Sequence, residues 1–226
     1  MVPVRALVFG NRNDDDLGVV GDWAAANRFT FDRRLREDQT GSIELSRYDL
    51  VISLGSEWSV YWPRVGDQLR IELDVLRQAV DLAVPVLGVC FGGQMLSTAL
   101  GGEVTRAPKP EFGWIAIETD HPDLVPAGPW MEWHIDRFTV PPGAVEIART
   151  DSSSQAFAVG RALGLQFHPE VDAAIVKRWV SDGDEELRAQ QIRPADVIAG
   201  TEENEVRARR DTFAMLDAFW ATVATG

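Results

Sequence analysis

A single cysteine, Cys90, lies where a short apolar run gives way to a glycine-rich segment with helical spacing. The run at residues 85 to 89 reads PVLGV, which suits a buried strand. The next residues read FGGQMLSTALGG, whose apolar spacing predicts a helix that ends at the glycine pair. Gly88 and Gly92 are typical of a tight strand-to-helix turn, because neighbouring Cβ atoms would clash there. The pattern predicts a nucleophile elbow, with helix N–H groups that favour a thiolate.

Repeated strand and helix segments before this elbow predict an α/β fold. Residues 4 to 10 and 48 to 53 are typical of buried strands, and residues 64 to 83 carry apolar side chains at spacings of three and four. Such units build a mainly parallel sheet with helices on both faces, and ligands bind at the carboxyl ends of its strands. Cys90 is predicted to lie at that end of the sheet.

The second half of the chain changes character after residue 102. Short β-like runs there predict meandering, partly antiparallel strands, at residues 114 to 118, 130 to 135, 145 to 150, 156 to 159 and 163 to 167. Helix is predicted again from residue 172. Acidic stretches at residues 11 to 16 and 181 to 205 are predicted to be mobile, the second because it contains two glycines.

The last segment is predicted to be a helix that packs back onto the domain. Its apolar residues fall on roughly one face, namely Val206, Phe213, Leu216, Trp220 and Val223. A length of 226 residues with 45% apolar content favours one domain over two. We therefore predict a single domain over residues 1 to 226, with a helical extension from about residue 181.

The charge and the cysteine content of the chain limit the kinds of partner and the cellular compartment that the sequence predicts. The chain has 35 acidic and 22 basic residues, and its net charge of −13 argues against nucleic acid or an anionic membrane as a partner. One cysteine cannot form an intramolecular disulfide, and the first residues lack the apolar segment of a signal peptide or anchor. A cytoplasmic protein that binds small molecules or proteins is predicted. Closely spaced metal ligands are missing from the sequence, so neither a metal nor a cofactor is predicted.

A cysteine nucleophile needs a base and a group that orients that base. Of the three histidines, His121 lies in a polar, loop-like segment, and His134 is flanked by apolar residues, which is typical of a structural residue near the pocket. His168 ends an apolar strand, and the proline after it lets Glu170 turn back toward the imidazole. Cys90, His168 and Glu170 are therefore predicted to form a nucleophile, base and orienter triad.

Three motifs in this order resemble the class I, triad-type glutamine amidotransferases. They are GVCFGGQ at residues 88 to 94, WHIDRF at 133 to 138 and QFHPE at 166 to 170. The resemblance covers about residues 4 to 180, and it is strongest to the stand-alone branch similar to the glutaminase part of GMP synthetase. It implies a flavodoxin-like, open mixed sheet. It also implies that Cys90 attacks the side-chain amide of glutamine, while His168 passes a proton to the departing ammonia.

The same resemblance implies an oxyanion hole made of backbone N–H groups. Phe91 supplies one N–H group, and Ser56 in the segment LGSEWSV supplies the other, with Gly55 as a further candidate. Ser56 stands where the family commonly has the second glycine of a pair. A serine can still donate its backbone N–H group if the loop tolerates a Cβ atom.

Substrate contacts carried over from the family fall on the pocket wall. Gln94 is expected to touch the amino-acid end of glutamine, together with the backbone around Ile135 and Asp136. For Asp136 an alternative is that its carboxylate only caps the turn before Arg137.

Three functions remain open from the sequence. The first is a glutaminase or glutamine amidotransferase that acts alone or with a separate synthetase subunit, because the chain has no P-loop or pyrophosphatase signature. The second is a γ-glutamyl hydrolase or peptidase, which uses the same triad on a larger substrate. The third is a non-catalytic regulatory or binding module, against which an intact triad argues.

Overall fold

The computed structural model describes residues 4–38 and 41–224, and an eight-stranded mixed sheet forms the centre of this part of the chain. In chain order the strands are β1 (Val4–Gly10), β2 (Phe29–Leu35), β3 (Leu50–Ser53), β4 (Val86–Val89), β5 (Val104–Ile115), β6 (Glu118–Thr119), β7 (Trp130–Phe138), β8 (Val145–Arg149), β9 (Ser154–Val159) and β10 (Ala162–Leu165). The α-helices are α1 (Gly18–Ala26), α2 (Gly66–Asp81), α3 (Phe91–Ala99), α4 (Ala173–Asp182), α5 (Asp184–Ala189) and α6 (Pro194–Ala224).

The sheet has the order β2-β1-β3-β4-β10-β9-β8-β6. Its first five strands are mutually parallel, and β9, β8 and β6 are added antiparallel to their neighbours. Strands β5 and β7 form a separate antiparallel pair. The predicted α/β class, the mainly parallel sheet and the antiparallel second half are confirmed. Among the helices of the described residues, none combines the length and the apolar character needed to span a membrane.

Side chains that alternate along the central strands belong to two apolar cores, one on each face of the sheet. On β1, Ala6 and Val8 join a core with residues of α1 and α6, whereas Leu7 and Phe9 join a core with residues of α2 and α3. A strand that is buried on both faces requires helices on both faces. The sequence prediction of a helix-covered sheet is therefore correct.

Helix α1 and strand β2 were not predicted from the sequence, and strand β5 was predicted too short. Helix α1 contains an internal glycine, and strand β2 is an edge strand whose polar residues are mostly exposed. Strand β5 begins at Val104, ten residues before the predicted start, and its irregular pairing between Arg106 and Glu111 includes two prolines. Gly and Pro weaken strand and helix patterns, which explains why α1 and the first part of β5 were not recognised.

Residues 181 to 205, which the sequence predicts to be mobile, are mostly helical, because α5 and the first part of α6 occupy most of this stretch. Both glycines pack closely against tryptophans. A Cβ atom added to Gly183 would lie 2.7 Å from Cζ2 of Trp133, and one added to Gly200 would lie 3.0 Å from Cδ1 of Trp114. The glycines therefore serve close packing.

The C-terminal helix α6 packs back onto the sheet as predicted. Leu216 is buried, and Phe213 and Trp220 pack against the same core. Val206 is 83% exposed, so its predicted place on the packed face is wrong. The side chain of Val223 lies outside the described residues.

Candidate active site

Cys90 lies on a strained turn between β4 and α3. Its φ of 49° and ψ of −107° fall in a region that residues with a side chain rarely adopt. A Cβ atom added to Gly92 would lie only 1.9 Å from the carbonyl oxygen of Ser53, and one added to Gly88 would lie 2.6 Å from the carbonyl oxygen of Gly92. The predicted elbow is therefore present, and both glycines are needed for its close contacts.

Three adjacent parallel strands bring the predicted residues to one edge of the sheet. Strand β3 leads to Gly55, β4 leads to Cys90, and β10 leads to His168. The predicted strand before His168 ends earlier, at Leu165. The N–H group of His168 instead donates to the carbonyl oxygen of Met131 at 2.9 Å, which fixes the segment to β7.

His168 and Glu170 form a buried pair. Nδ1 of His168 lies 2.7 Å from Oε1 of Glu170, and the two residues are 4% and 3% exposed. Nε2 of His168 has no hydrogen-bond partner within the described residues, although it is buried. Burial alone would lower the pKa of His168, but the charges of Glu170 and Cys90 raise it well above its ordinary value of 6.5. These two charges therefore favour the protonated imidazole next to the cysteine.

Gly55 lies between the cysteine and the histidine. A Cβ atom added to Gly55 would be 3.1 Å from Cε1 of His168 and 3.9 Å from Cβ of Cys90. The backbone N–H groups of Ser56 and Phe91 donate no hydrogen bond among the described residues. The oxygen of Ser56's own side chain accepts from the N–H group of Trp58 at 3.0 Å, which shapes the loop. These two N–H groups are available to a ligand.

Arg36, which the sequence analysis missed, holds this loop by hydrogen bonds to its backbone. It donates to the carbonyl oxygens of Gly55 and Leu54 at 3.0 and 2.9 Å, and its guanidinium lies 4.7 Å from the ring centre of Phe91. Its charge is matched by Glu72, at 2.8 Å, and both side chains are fully buried. Arg36 therefore links both segments that carry the free N–H groups.

Two buried glutamines connect the cysteine with the pocket wall. Nε2 of Gln166 donates to Sγ of Cys90 at 3.7 Å, and Oε1 of Gln166 accepts from Nε2 of Gln94 at 3.4 Å. Gln94 also donates to the carbonyl oxygen of Asp136 at 3.3 Å. Gln94, predicted as a substrate contact, lines the cavity, while Gln166 was not singled out from the sequence.

Asp136 joins the two sides of the cavity. Its carboxylate accepts hydrogen bonds from Ser59 and from Tyr61, the latter at 2.9 Å, and both donors lie in the segment after β3. The alternative that this carboxylate caps the turn before Arg137 is wrong, because Asp136 lies within β7. Ile135 and Asp136 both line the cavity, and their contact with the substrate stays a prediction.

His134 is a buried structural residue, as predicted, but its acidic partners were not predicted. Its Nε2 lies 3.1 Å from a carboxylate oxygen of Glu132 and 3.3 Å from one of Glu111, as ion-pair contacts, and its Nδ1 lies 2.9 Å from the carbonyl oxygen of Asp136. Burial alone would lower the pKa of His134, but the two glutamates raise it from 6.5 to about 10. Burial raises the pKa of Glu132, whereas His134 outweighs burial and lowers the pKa of Glu111.

Several of the residues described above line one cavity of about 600 Å³. Cys90 and His168 lie in its lining together with Ser56, Phe91 and Gln94. A nucleophile, a carboxylate-paired base and free backbone donors thus face one space, which is the arrangement needed for acyl transfer from an amide.

Comparisons with known proteins agree with this geometry. A profile described as "Glutamine amidotransferase class-I" matches residues 42–177, which is more than half of the chain. The chain belongs to the class I glutamine amidotransferase family. The fold and enzyme class that the sequence motifs implied are confirmed.

Individual relatives of this class I amidotransferase are GMP synthases. The GMP synthase [glutamine-hydrolyzing] of Aeropyrum pernix is 37% identical over 147 residues, a match that covers 60% of this chain and 28% of the relative. The chain thus spans less than a third of that relative. A GMP synthase [glutamine-hydrolyzing] subunit of Sulfurisphaera tokodaii is 33% identical over 141 residues, which cover 56% of this chain and 70% of the relative.

A solved structure is similar over almost the whole chain. A glutamine amidotransferase from Thermotoga maritima superposes with a TM-score of 0.87 at 28% identity, covering 97% of this chain and 99% of that one. The similarity includes the helical C-terminal part that lies outside the matched profile.

Proposed function

We propose that this class I amidotransferase hydrolyses the side-chain amide of glutamine through Cys90, His168 and Glu170. The observation that carries the proposal is a strained, buried cysteine beside a histidine whose Nδ1 is paired with Glu170 and whose Nε2 is unpartnered among the described residues. A base that is oriented on one side and free on the other can exchange a proton with a substrate.

The reaction follows from the positions of these groups. The thiolate of Cys90 attacks the amide carbonyl carbon, and the N–H groups of Phe91 and Ser56 stabilise the oxyanion. His168 then gives its proton to the amide nitrogen, the C–N bond breaks, and ammonia leaves a γ-glutamyl thioester. Water attacks the thioester with His168 as the base, which releases glutamate and regenerates Cys90.

Recognition of the amino-acid end is assigned to the wall formed by Gln94, Ile135 and Asp136. All three residues line the cavity, and the hydrogen bond from Gln94 to the Asp136 carbonyl oxygen holds this wall rigid. The two ends of glutamine would then be bound by different elements, the amide by the strand ends and the amino acid by α3 and β7.

Delivery of ammonia to a separate synthetase subunit is part of the proposal. Its support is the relative from Sulfurisphaera tokodaii, whose name makes it one subunit of a GMP synthase. We also propose that the chain acts as one domain, since α6 packs both on the sheet core and on the β5–β7 pair. L-Glutamine is the proposed small-molecule substrate.

A second candidate, γ-glutamyl hydrolysis, is favoured by the size of the cavity. Its volume of about 600 Å³ is typical of sites that bind ligands larger than a single amino acid. The chemistry would be identical, and only the group attached to the departing nitrogen would differ.

The test measures ammonia and glutamate released from L-glutamine by the wild type, by Cys90→Ala and by Cys90→Ser. Equal amounts of both products from the wild type, with both variants inactive but folded, are expected. Because Cys90 is the one cysteine of the chain, alkylation by iodoacetamide reports on it alone, and glutamine should slow that labelling. Undiminished turnover by Cys90→Ala would contradict the proposal.

A further inference from the structure

Gln166 touches the nucleophile but has no part in the reaction proposed above. Its side-chain nitrogen Nε2 lies 3.7 Å from Sγ of Cys90, and both residues are buried. Two backbone hydrogen bonds fix this spacing. The N–H group of Cys90 donates to the carbonyl oxygen of Leu165 at 2.9 Å, and that of Gln166 donates to the carbonyl oxygen of Gln155 at 2.8 Å. The sheet therefore holds the amide and the sulfur side by side.

The orientation of the Gln166 amide is fixed by a backbone carbonyl group. Nε2 of Gln94 donates to the carbonyl oxygen of Asp136 at 3.3 Å, and a carbonyl oxygen can only accept. The same nitrogen of Gln94 donates to Oε1 of Gln166 at 3.4 Å, so the nitrogen of Gln166 faces the sulfur. Turning the Gln94 amide over would place two acceptors against each other, and turning Gln166 alone would place two donors against each other.

The buried N–H group of Gln166 requires a strong acceptor. Among the described residues, Sγ of Cys90 is the one hydrogen-bond acceptor of this nitrogen, and Gln166 has no exposed surface. A thiol sulfur is a weak acceptor, whereas a thiolate carries a full charge and receives a charge-assisted hydrogen bond. A buried donor that is poorly paired is costly, so the amide favours the thiolate over the thiol.

We propose that Gln166 is a further catalytic residue, whose side-chain N–H group donates to the Cys90 thiolate and stabilises it. This inference rests on the proposed function and adds a residue to the same site. The amide holds the thiolate before the attack on glutamine. It receives the thiolate again when water cleaves the thioester, because the sulfur–carbon bond then breaks and its electron pair returns to sulfur. Gln94 is a positioning residue for this amide, besides its proposed contact with the substrate.

Two charged imidazoles also act on the sulfur. His168 follows β10 and His134 lies on β7, and the interaction of each with Cys90 contributes to raising the pKa of the imidazole. They are paired with the buried carboxylates of Glu170 and Glu132, respectively. A neutral replacement of the glutamine keeps all of these charges in place, so its effect on the sulfur reports on the lost N–H group.

The first test follows the alkylation of Cys90 by iodoacetamide in Gln166→Met. The thiolate is the reactive form, and the chain has no other cysteine. Without the donor, the midpoint of the pH profile should lie about one pH unit higher than in the wild type, and alkylation below the midpoint should be about tenfold slower. The plateau rate at high pH should not fall, because a less stabilised thiolate is at least as nucleophilic. An unchanged midpoint would overturn the inference.

The matched control is Gln155→Met, which also removes a fully buried amide. Gln155 donates to Glu111 at 2.9 Å and to Ser153 at 3.0 Å, but not to the sulfur. The control should therefore keep the midpoint of alkylation within about 0.3 pH unit of the wild type. A shift as large as that of Gln166→Met would overturn the inference, since the loss of any buried amide would then be sufficient.

A second variant, Gln94→Met, tests the orientation of the amide. It keeps the N–H group of Gln166 and removes the partner that orients it, so the midpoint should rise by roughly half as much as in Gln166→Met. In the double variant Gln94→Met, Gln166→Met, the midpoint should equal that of Gln166→Met alone, because there is no amide left to orient. Fully additive shifts would overturn the positioning role of Gln94.

Turnover measurements separate this inference from the proposed function. In Gln166→Met, kcat/KM for L-glutamine near neutral pH should fall about tenfold, and an unchanged value would remove Gln166 from the catalytic residues. If the wild type does not cleave glutamine while the midpoint of alkylation moves as expected, the proposed function fails and the stabilisation of the thiolate by Gln166 stands. Cleavage of glutamine through Cys90 combined with an unmoved midpoint means the reverse.

Discussion

Replacing Arg36 by methionine should destabilise the protein strongly. The guanidinium is fully buried and donates to Glu72 at 2.8 and 3.0 Å, to Asn11 at 2.8 Å and to two loop carbonyl oxygens. Methionine fills most of the space but provides no donors. Arg36→Met therefore leaves the carboxylate of Glu72 buried without its cation.

The expected loss can be worked from these contacts. A buried charge whose partner is removed costs about 3–5 kcal/mol, and each carbonyl left without its donor adds about 1 kcal/mol. The free energy of unfolding should fall by about 5–7 kcal/mol, which is a large part of an ordinary domain's total. At about 2–4 °C per kcal/mol, the midpoint of thermal unfolding should fall by roughly 10–28 °C.

Urea unfolding followed by tryptophan fluorescence measures this loss, with two controls. The double variant Arg36→Met, Glu72→Met removes both charges and should recover at least about 2 kcal/mol relative to the single variant. Arg12→Met breaks an exposed pair with Asp38 and should change stability by less than about 1 kcal/mol. A loss below about 1 kcal/mol in Arg36→Met, or no recovery in the double variant, would refute the reasoning.

Three further predictions concern the elbow, the buried histidine and the orienting carboxylate. Gly92→Ala should prevent folding, since its Cβ atom would lie 1.9 Å from a carbonyl oxygen, whereas Gly66→Ala, with open space around it, should fold with stability within about 1 kcal/mol of the wild type in thermal melts. Because the pKa of His134 is raised to about 10, its stabilisation is complete below about pH 6.5 and is lost as the pH rises toward 10. In urea titrations at several pH values, His134→Gln should lessen this decline by about 1.4 kcal/mol per pH unit, and an unchanged slope contradicts the assignment. Glu170→Gln should lower kcat for glutamine at least about a hundredfold while far-ultraviolet circular dichroism stays unchanged, and a near-normal kcat would argue against the triad.

The elbow and the base were predictable because each is encoded within a few consecutive residues. Gly88, Cys90 and Gly92 specify one turn, and the segment from His168 to Glu170 specifies one bend. Their meeting followed from a general rule that carboxyl ends of parallel strands share an edge. Local patterns combined with that rule were sufficient for the fold class and the main site residues.

Arg36 could not be found in the same way. Its neighbours read RRLRED, a charge-rich run that is typical of a solvated surface. Burial of Arg36 depends on partners from three distant segments, contributed by Asn11, Gly55 and Glu72. No periodicity in one segment reports on such an arrangement.

The glutamates around His134 left a weak signal in the sequence. Strand β7 reads WMEWHIDRF, in which Glu132, His134 and Asp136 alternate with apolar residues. Alternation usually indicates one face in water. Here the alternating polar residues are all buried, because the carboxylate of Glu111 and the loop around Ser59 cover that face.

Helix α5 lies outside the part of the chain that carries the chemistry. The triad residues lie within residues 42–177, the part that matches the family profile, whereas α5 begins at residue 184. Gly183, just before α5, packs closely against Trp133 of the cavity lining. Substitutions at this junction would therefore reshape the cavity wall while leaving intact the strand ends that hold the nucleophile.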